Sequence, residues 1–434
     1  MIKDESVRAL GRLTSFLSSP ASQQGLLLMA ATTGGSFFNF LYHFVTGRLL
    51  GPADYAALTA LIVVLNTVSA PMTLSQMLVS DVTARLLALN SLGQIKQLMR
   101  QMVAGLALLS GLIVAGIALA SRAIGELMRL PSPLPVVILA LAIGPVLILP
   151  SLTGGLQGWQ DFRGMSLSAL VAGAVRLAIG VGLVWIGLGV SGAIGGFFIS
   201  GLVTVGLSWF LLTRRLRVPS EPLTVKLGAL LRFSVQAALA TLAFTLLTSI
   251  DVVFARRLFL PEQAGYYSAA ATLGKVVLYL PGPVAMLMFP KSSARHALGL
   301  SRAAMLRKSA LVTLGLSLGV TAIFFAWPPD IIRFLFGPEF APAGQWLGTY
   351  GLAMSGAALV NLLMFHYLAA HDWRFVSIML GFVVAQVVAL TLSAPAPLFY
   401  IIVVAASNWG IVLASKVWLG GRLEPEPLPA QPTE

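Results

Sequence analysis

The chain contains no cysteine. Disulfides, thiolate metal sites and cysteine nucleophiles are excluded together. Charge is also scarce. Asp, Glu, Lys and Arg make up 10% of the 434 residues, whereas a soluble domain carries about 25%. So little polar surface could not coat a water-soluble globule of this size. Acids are the scarcer sign, 15 against 28 Lys and Arg. The histidines are His43, His296, His366 and His371, and none stands in H-x-x-x-H or H-E-x-x-H spacing, so no metal site is expected. No Walker A sequence is present, and no stretch between apolar segments is long enough for a soluble catalytic or nucleotide-binding domain. ATP-driven transport by this chain alone is excluded, and no cofactor is expected.

What the chain has in abundance is apolar sequence, 57% of residues with a mean hydropathy of +0.89. Apolar runs of about 20 residues recur at the length a bilayer requires. Twelve segments emerge. The first half contributes 25–46, 55–80, 102–121, 135–156, 165–187 and 190–212, and the second 230–256, 265–290, 307–328, 343–368, 375–394 and 397–417. Leu188 and Gly189 separate the fifth and sixth, which predicts a tight helical hairpin. The expected organisation is a cytoplasmic segment at 1–24, an N-lobe at 25–212, an inter-lobe loop at 213–229, a C-lobe at 230–418 and a disordered cytoplasmic tail at 419–434. Residues 1–24 show no short apolar core followed by an A-x-A site, so they are not read as a cleaved signal peptide.

The net charge of +13 would suggest nucleic acid in a soluble protein. Here the cations fall between apolar segments. With the N-terminus inside, 20 Lys and Arg fall on the inner side and 6 on the outer. That asymmetry predicts that both termini are cytoplasmic. Membrane lipids, not nucleic acid, are the expected surroundings.

The sequence also repeats itself. Arg48-Leu49-Leu50-Gly51-Pro52-Ala53-Asp54-Tyr55 follows the first segment, and Arg257-Leu258-Phe259-Leu260-Pro261-Glu262 through Tyr266-Tyr267 follows the seventh. Each copy reads as an Arg-Leu pair, a proline turn with an acid, then tyrosine and small residues opening the next helix. Six segments, an even number, separate the copies, so they share one orientation in the membrane. The expected architecture is two six-helix lobes related by a parallel repeat.

These residues resemble a known family. Gly47 through Tyr55, Asp251 with the run Ala264-Gly265-Tyr266-Tyr267 through Gly274-Lys275, and Leu335-Phe336-Gly337-Pro338-Glu339-Phe340 are similar to bacterial oligosaccharide flippases. Those proteins form the polysaccharide-export branch of the multidrug/oligosaccharidyl-lipid/polysaccharide exporter superfamily. The resemblance covers nearly the whole chain. It implies an all-α polytopic fold of about twelve transmembrane helices, similar to multidrug and toxin extruders (MATE-like), whose lobes alternate between inward-open and outward-open forms. It implies an oligosaccharide cargo on polyprenyl pyrophosphate, a bacterial inner-membrane location, and a glycan polymerase or glycosyltransferase as protein partner. Lipid II flippases usually have two further helices, which argues against lipid II as cargo.

Two cations lie within the segments themselves. Arg176 is 11 residues into the fifth, about 16 Å deep, and Lys275 is about ten residues into the eighth, roughly 14 Å from the outer surface. A charge at that depth costs at least ~2.5–3.5 kcal/mol on insertion scales and needs a reason. One cation from each lobe clamping a pyrophosphate in a wet cavity would supply it, with Arg as a bidentate fork and Lys as a point charge. Both match places where the family often carries a basic residue. Asp251, five residues from the outer end of the seventh segment, either joins the cavity, couples transport to an ion, or pairs with Lys275. Arg176 has no acid within the segments of its own lobe.

Asn39, Asn66, Gln76, Gln236, Asn361, Gln386 and Asn408 could bind sugar hydroxyls or hydrogen-bond between helices. His43 and His366 could carry protons. Pro71 and Pro281, at corresponding places in the two lobes, are the expected kinks, with Pro145, Pro150 and Pro283 also inside segments. A cation-coupled multidrug antiporter of the same fold is the competing function, but it wants buried carboxylates, and only Asp251 qualifies. A membrane enzyme would need larger outer loops and convergent acids, so catalysis is not expected.

Overall fold

The computed structural model of the chain describes residues 20–223, 228–282 and 303–419, with side chains for 34–223, 235–282 and 305–418. Most of the expected N-terminal segment, the tail beyond 419, part of the inter-lobe loop, the end of segment 265–290 with Pro283, and His296 lie outside these residues.

Every regular element among the described residues is helical. α1 (Pro20–Ser69) is two helices joined at Gly51, whose φ of 72° is open to a residue without Cβ, and Pro52 starts the second. A 3-10 turn at Ala70–Met72, holding Pro71, leads into α2 (Thr73–Ala88). α3 (Leu92–Leu119) and the short α4 (Ser121–Leu127) follow, then α5 (Leu134–Gly158), which holds Pro145 and Pro150. α6 (Phe162–Leu183) turns through a π-type turn at Val184–Leu188 into α7 (Gly189–Thr213). That is the hairpin expected from Leu188 and Gly189, with Gly187 and Gly189 both at positive φ.

The second half runs α8 (Gly228–Leu247), α9 (Ile250–Leu258), α10 (Pro261–Tyr279), α11 (Ala303–Ala326), α12 (Pro328–Phe336), a 3-10 turn at Pro338–Ala343, α13 (Gly344–Leu368), α14 (Trp373–Leu392) and α15 (Pro397–Leu419). Pro281 falls in the turn just past the end of α10.

Nine stretches of the described residues are long and apolar enough to cross a membrane. Two of them, Gly34–Ala88 and Phe162–Thr213, each hold two of the twelve expected segments, and segment 265–290 runs out of the described residues. Exposed side chains agree with lipid as solvent. Leu119 is 89% exposed, Leu392 81% and Phe334 78%, an exposure that water would penalise and hydrocarbon does not.

By contact the chain forms two compact units. The first comprises Met1–His43, Ser75–Ala118 and Val137–Leu227. The second comprises Phe44–Leu74, Leu119–Val136 and Gly228–Glu434. In the first unit α6 and α7 pack along their whole length. In the second, α13 is the central helix, flanked by α10, α11 and α15 and buried along most of its length. Ala240, Ala243, Val360, Met364, Phe375, Met379 and Ile411 form part of its apolar core.

Also within the second unit, the two copies of the repeated turn meet each other. A Cβ added to Gly265 would lie 2.1 Å from the Pro52 carbonyl oxygen, so the contact exists only because position 265 has no side chain. The Tyr55 hydroxyl lies 3.0 Å from Thr272 Oγ1. Arg48 donates to the carbonyls of Phe334 and Leu335.

Candidate functional site

In the first unit, Arg176 projects from α6 between α1 and α7. Its guanidinium carbon sits 4.2 Å from the centroid of the Phe197 ring, a cation–π contact. Nη1 donates to Asn39 Oδ1 at 3.0 Å. Nε is buried with no hydrogen-bond acceptor. Buried donors without partners are rare and costly, and one on a charged group calls for an explanation. The neighbourhood is aromatic: Tyr42 stacks edge-on to Phe197 at 5.4 Å and donates to the Ala193 carbonyl. His43, buried, lies edge-on to Tyr42. Among the described residues no acid lies within 4 Å of Arg176.

Stacking fixes the chemistry available. With its face on Phe197, the guanidinium keeps its donors in the plane of the group, pointing away from the ring. Asn39 occupies Nη1. On the Nε–Nη2 edge, which can grip an oxyanion with two parallel hydrogen bonds, Nε is buried without an acceptor, and among the described residues Nη2 makes no hydrogen bond.

The second unit holds a separate polar cluster, built on a break in what the sequence suggests is one continuous segment, 230–256. Thr241, Thr245 and Thr248 each return a hydroxyl hydrogen bond to the carbonyl four residues earlier, all at 2.8 Å. Such back-bonding bends helices, and here α8 ends at Leu247. Ser249 leaves helical geometry with φ −148°, and α9 starts at Ile250. The Leu247 carbonyl, released by the break, accepts from Gln386 Nε2 at 3.2 Å. Lys275, on α10, donates to Ser249 Oγ at 2.8 Å.

Asp251 is in the first turn of α9, where the helix dipole favours a negative charge. It is fully buried. Its Oδ2 accepts from the Tyr267 hydroxyl at 2.6 Å and the Tyr350 hydroxyl at 2.8 Å, and Oδ1 has no partner. Tyr400 and Phe259 close the aromatic surround. Asp251 and Lys275 do not form an ion pair within 4 Å: the lysine bonds to Ser249 and the carboxylate to the tyrosines.

The other expected residues are dispersed. Asn66 is exposed. Gln236 is buried, its Nε2 without an acceptor. Asn361 is half-buried on α13. His366, buried, packs edge-on to Tyr367. Gln76 bonds to Gln157, and Asn408 to the Val404 carbonyl of its own helix. No cluster of metal-ligating side chains occurs among the described residues. Sequence reasoning missed Ser249, Tyr267, Tyr350 and Phe197 as partners. The run of threonines before Ser249 was the only local signal of the break.

Arg256 is one of the six cations that the sequence places on the outer side. It is buried in α9 and donates to the carbonyls of Met128, Arg129 and Ala53 at 3.0, 2.8 and 3.1 Å.

Residues 22–296 match the model of a family described as polysaccharide biosynthesis protein. Among solved structures, the chain is similar to an inward-facing multidrug resistance MATE family transporter of the MOP superfamily, with a TM-score of 0.73 at 13% identity, covering 92% of this chain and 98% of that one. An outward-facing multidrug resistance MATE transporter of the same superfamily gives 0.60 at 14% identity, over 94% and 97%. A MOP superfamily transporter from Pyrococcus furiosus, described as having a binding pocket of reverse polarity, gives 0.63 at 14% identity, over 94% and 97%. These likenesses show a MATE-like, all-α polytopic membrane fold. No curated protein matches the chain.

Proposed function

Since this chain belongs to the polysaccharide biosynthesis protein family, we propose that it is a flippase that carries an oligosaccharide on polyprenyl pyrophosphate across the bacterial inner membrane by alternating access. Family and fold are those of membrane exporters, not of enzymes. Both termini would then face the cytoplasm, and a glycan polymerase or glycosyltransferase would act beside it.

The observation that carries this reading is the open edge of Arg176. A pyrophosphate cannot cross hydrocarbon bare. A guanidinium held flat on Phe197, with no neutralising acid among the described residues and with a buried unbonded Nε, offers it a directional, charge-assisted grip. Lys275 is the second cation assigned to cargo, with Asn39, Asn66, Gln236 and Asn361 as candidate sugar contacts. Asp251, His43 and His366 are the groups through which an ion gradient could be coupled, and Pro71 and Pro281 the expected bending points. A drug antiporter is the weaker reading. Its carboxylate would be Asp251, whose Oδ2 is already held by two tyrosine hydroxyls.

The test is transport of a fluorescent lipid-linked oligosaccharide in vesicles with purified full-length protein. Arg176→Ala should abolish flipping while leaving membrane level and thermal unfolding unchanged. Undiminished flipping by that variant, or preferential transport of organic cations by the wild type, would reject the reading.

A further inference from the structure

A second cationic site lies in the first unit, well away from Arg176. A cavity of about 400 Å³ opens between the first turns of α3 and the end of α7, lined by Lys96, Met99, Arg100, Trp209, Leu216 and Arg217, with Leu212 and Thr213 behind them. Arg215, beside this end of α7, bonds to Asp161 at the start of α6. Arg176 is 14 residues further along α6 than Phe162, about 21 Å along the helix axis.

The cavity has two chemically distinct halves. Its floor is apolar and fixed: Met99, Leu212 and Leu216 are buried, and Met99 and Leu212 close on Gly155 of α5. Its rim is cationic. Lys96 donates to the Val218 carbonyl at 2.6 Å, and the Glu221 amide bonds to the Gly93 carbonyl, so the chain after Thr213 is strapped across the start of α3. The strap holds Arg217 over the same opening as Lys96 and Arg100. Among the described residues no acid lines the cavity. The nearest along the strap is Glu221, packed on Gly93. Among the described residues none of the three cations has an acid within 4 Å.

Both helices lie in stretches long and apolar enough to cross a membrane, and the cavity lies at one end of each. Phe210, on the last turn of α7, is 52% exposed. Topogenic charge needs no cavity and no convergence of three side chains. A soluble anion would gain nothing from the apolar floor.

We infer that this cavity binds the phosphate headgroup of an anionic membrane lipid, with Lys96, Arg100 and Arg217 on the phosphate and the start of the hydrocarbon chain against Met99, Trp209 and Leu216. The phosphate could belong to a bilayer phospholipid or to a polyprenyl pyrophosphate, which share the chemistry of anion plus chain. The assignment is independent of the role given to Arg176.

Native mass spectrometry of the full chain, released from detergent with matched-chain phosphatidylglycerol or phosphatidylcholine, tests it. Phosphatidylglycerol adducts should dominate. Arg100→Gln with Arg217→Gln, both exposed and sparing Lys96, should weaken them roughly twenty-five-fold, on about a five-fold loss per surface cation. Removing Lys308 and Arg374 instead should change nothing. Equal adducts with the two lipids, or equal loss in the control, would overturn the site. Polyprenyl pyrophosphate that displaces phosphatidylglycerol at lower concentration identifies the cargo lipid as occupant, and failure to displace identifies the phospholipid. Displacement by inorganic pyrophosphate as effective as that by lipid would overturn the amphiphile assignment. As a second measurement, Thr213→Cys in this cysteine-free chain, which lines the cavity and leaves its three cations in place, should be protected from a water-soluble maleimide by phosphatidylglycerol vesicles and not by phosphatidylcholine vesicles, and equal labelling in both counts against the site.

Discussion

Arg256 and Arg129 hold each other's chain: Arg256 Nη2 donates to the Arg129 carbonyl at 2.8 Å, and Arg129 Nη1 donates to the carbonyl of Phe259 at 3.2 Å. Arg129 adopts a left-handed φ of 49°, which turns its carbonyl out of the α4 ladder. With the bonds to Met128 and Ala53, one guanidinium ties together three connections far apart in sequence. Arg256→Lys keeps the charge but cannot reach three carbonyls at once. At about 1.5–3 kcal/mol per charged hydrogen bond, we expect a lower thermal midpoint in detergent by several degrees and an equal or larger drop for Arg256→Met. An unchanged midpoint for both would mean water replaces the guanidinium at no cost.

Asn39 decides whether Arg176 is available to an anion. Asn39→Asp places a carboxylate where the amide oxygen now accepts from Nη1. The new ion pair should preserve or raise stability while cutting transport at least about tenfold, since the guanidinium is neutralised in place. Asn39→Ala should cost transport less, because the cation stays unpaired. If the aspartate variant transports normally, the charge of Arg176 is not what the cargo meets.

Lys275 and Ser249 separate a transport role from a structural one. Lys275→Gln should reduce flipping about tenfold or more, and Ser249→Ala, which removes only the hydroxyl acceptor, should leave it within about threefold. Equal losses in the two variants would assign the lysine to bracing the α8–α9 break.

Tyr267 and Tyr350 share one oxygen of a buried carboxylate. Either Tyr→Phe change should cost about 1.5–3 kcal/mol of stability, and the pair should be non-additive, because the remaining hydroxyl can tighten on Oδ2. Asp251→Asn keeps an acceptor for both and should be milder than Asp251→Ala, which strands two hydroxyls in the protein interior. Chemical denaturation of the four single variants and the double Phe variant measures this. Strict additivity would argue that the hydroxyls act independently.

Legibility of the molecule in its sequence tracks how local each cause is. Apolar length announced the spans, Gly51-Pro52 the first turn, and Leu188-Gly189 the hairpin, because each depends on neighbouring residues. The α8–α9 break has no glycine or proline, and hydroxyl back-bonding is a weaker sign. Arg176 was legible as an anomaly, but Phe197 beneath it lies 21 positions away on another helix. Arg256 looked like a loop charge because the carbonyls it satisfies come from segments more than 120 residues distant. The cavity at Lys96 and Arg217 was invisible for the same reason: its residues read singly as charges flanking spans.

The close seating of Pro52 on Gly265 carries one more implication. Residues 44–74 and 119–136 group with residues 228–434 in one compact unit, so the covalent tether within 213–229 should not be needed to bring them together. Cutting the gene there and producing the fragments separately should yield a stoichiometric, non-covalent partnership, and Gly265→Leu, by filling the seat, should keep the fragments apart.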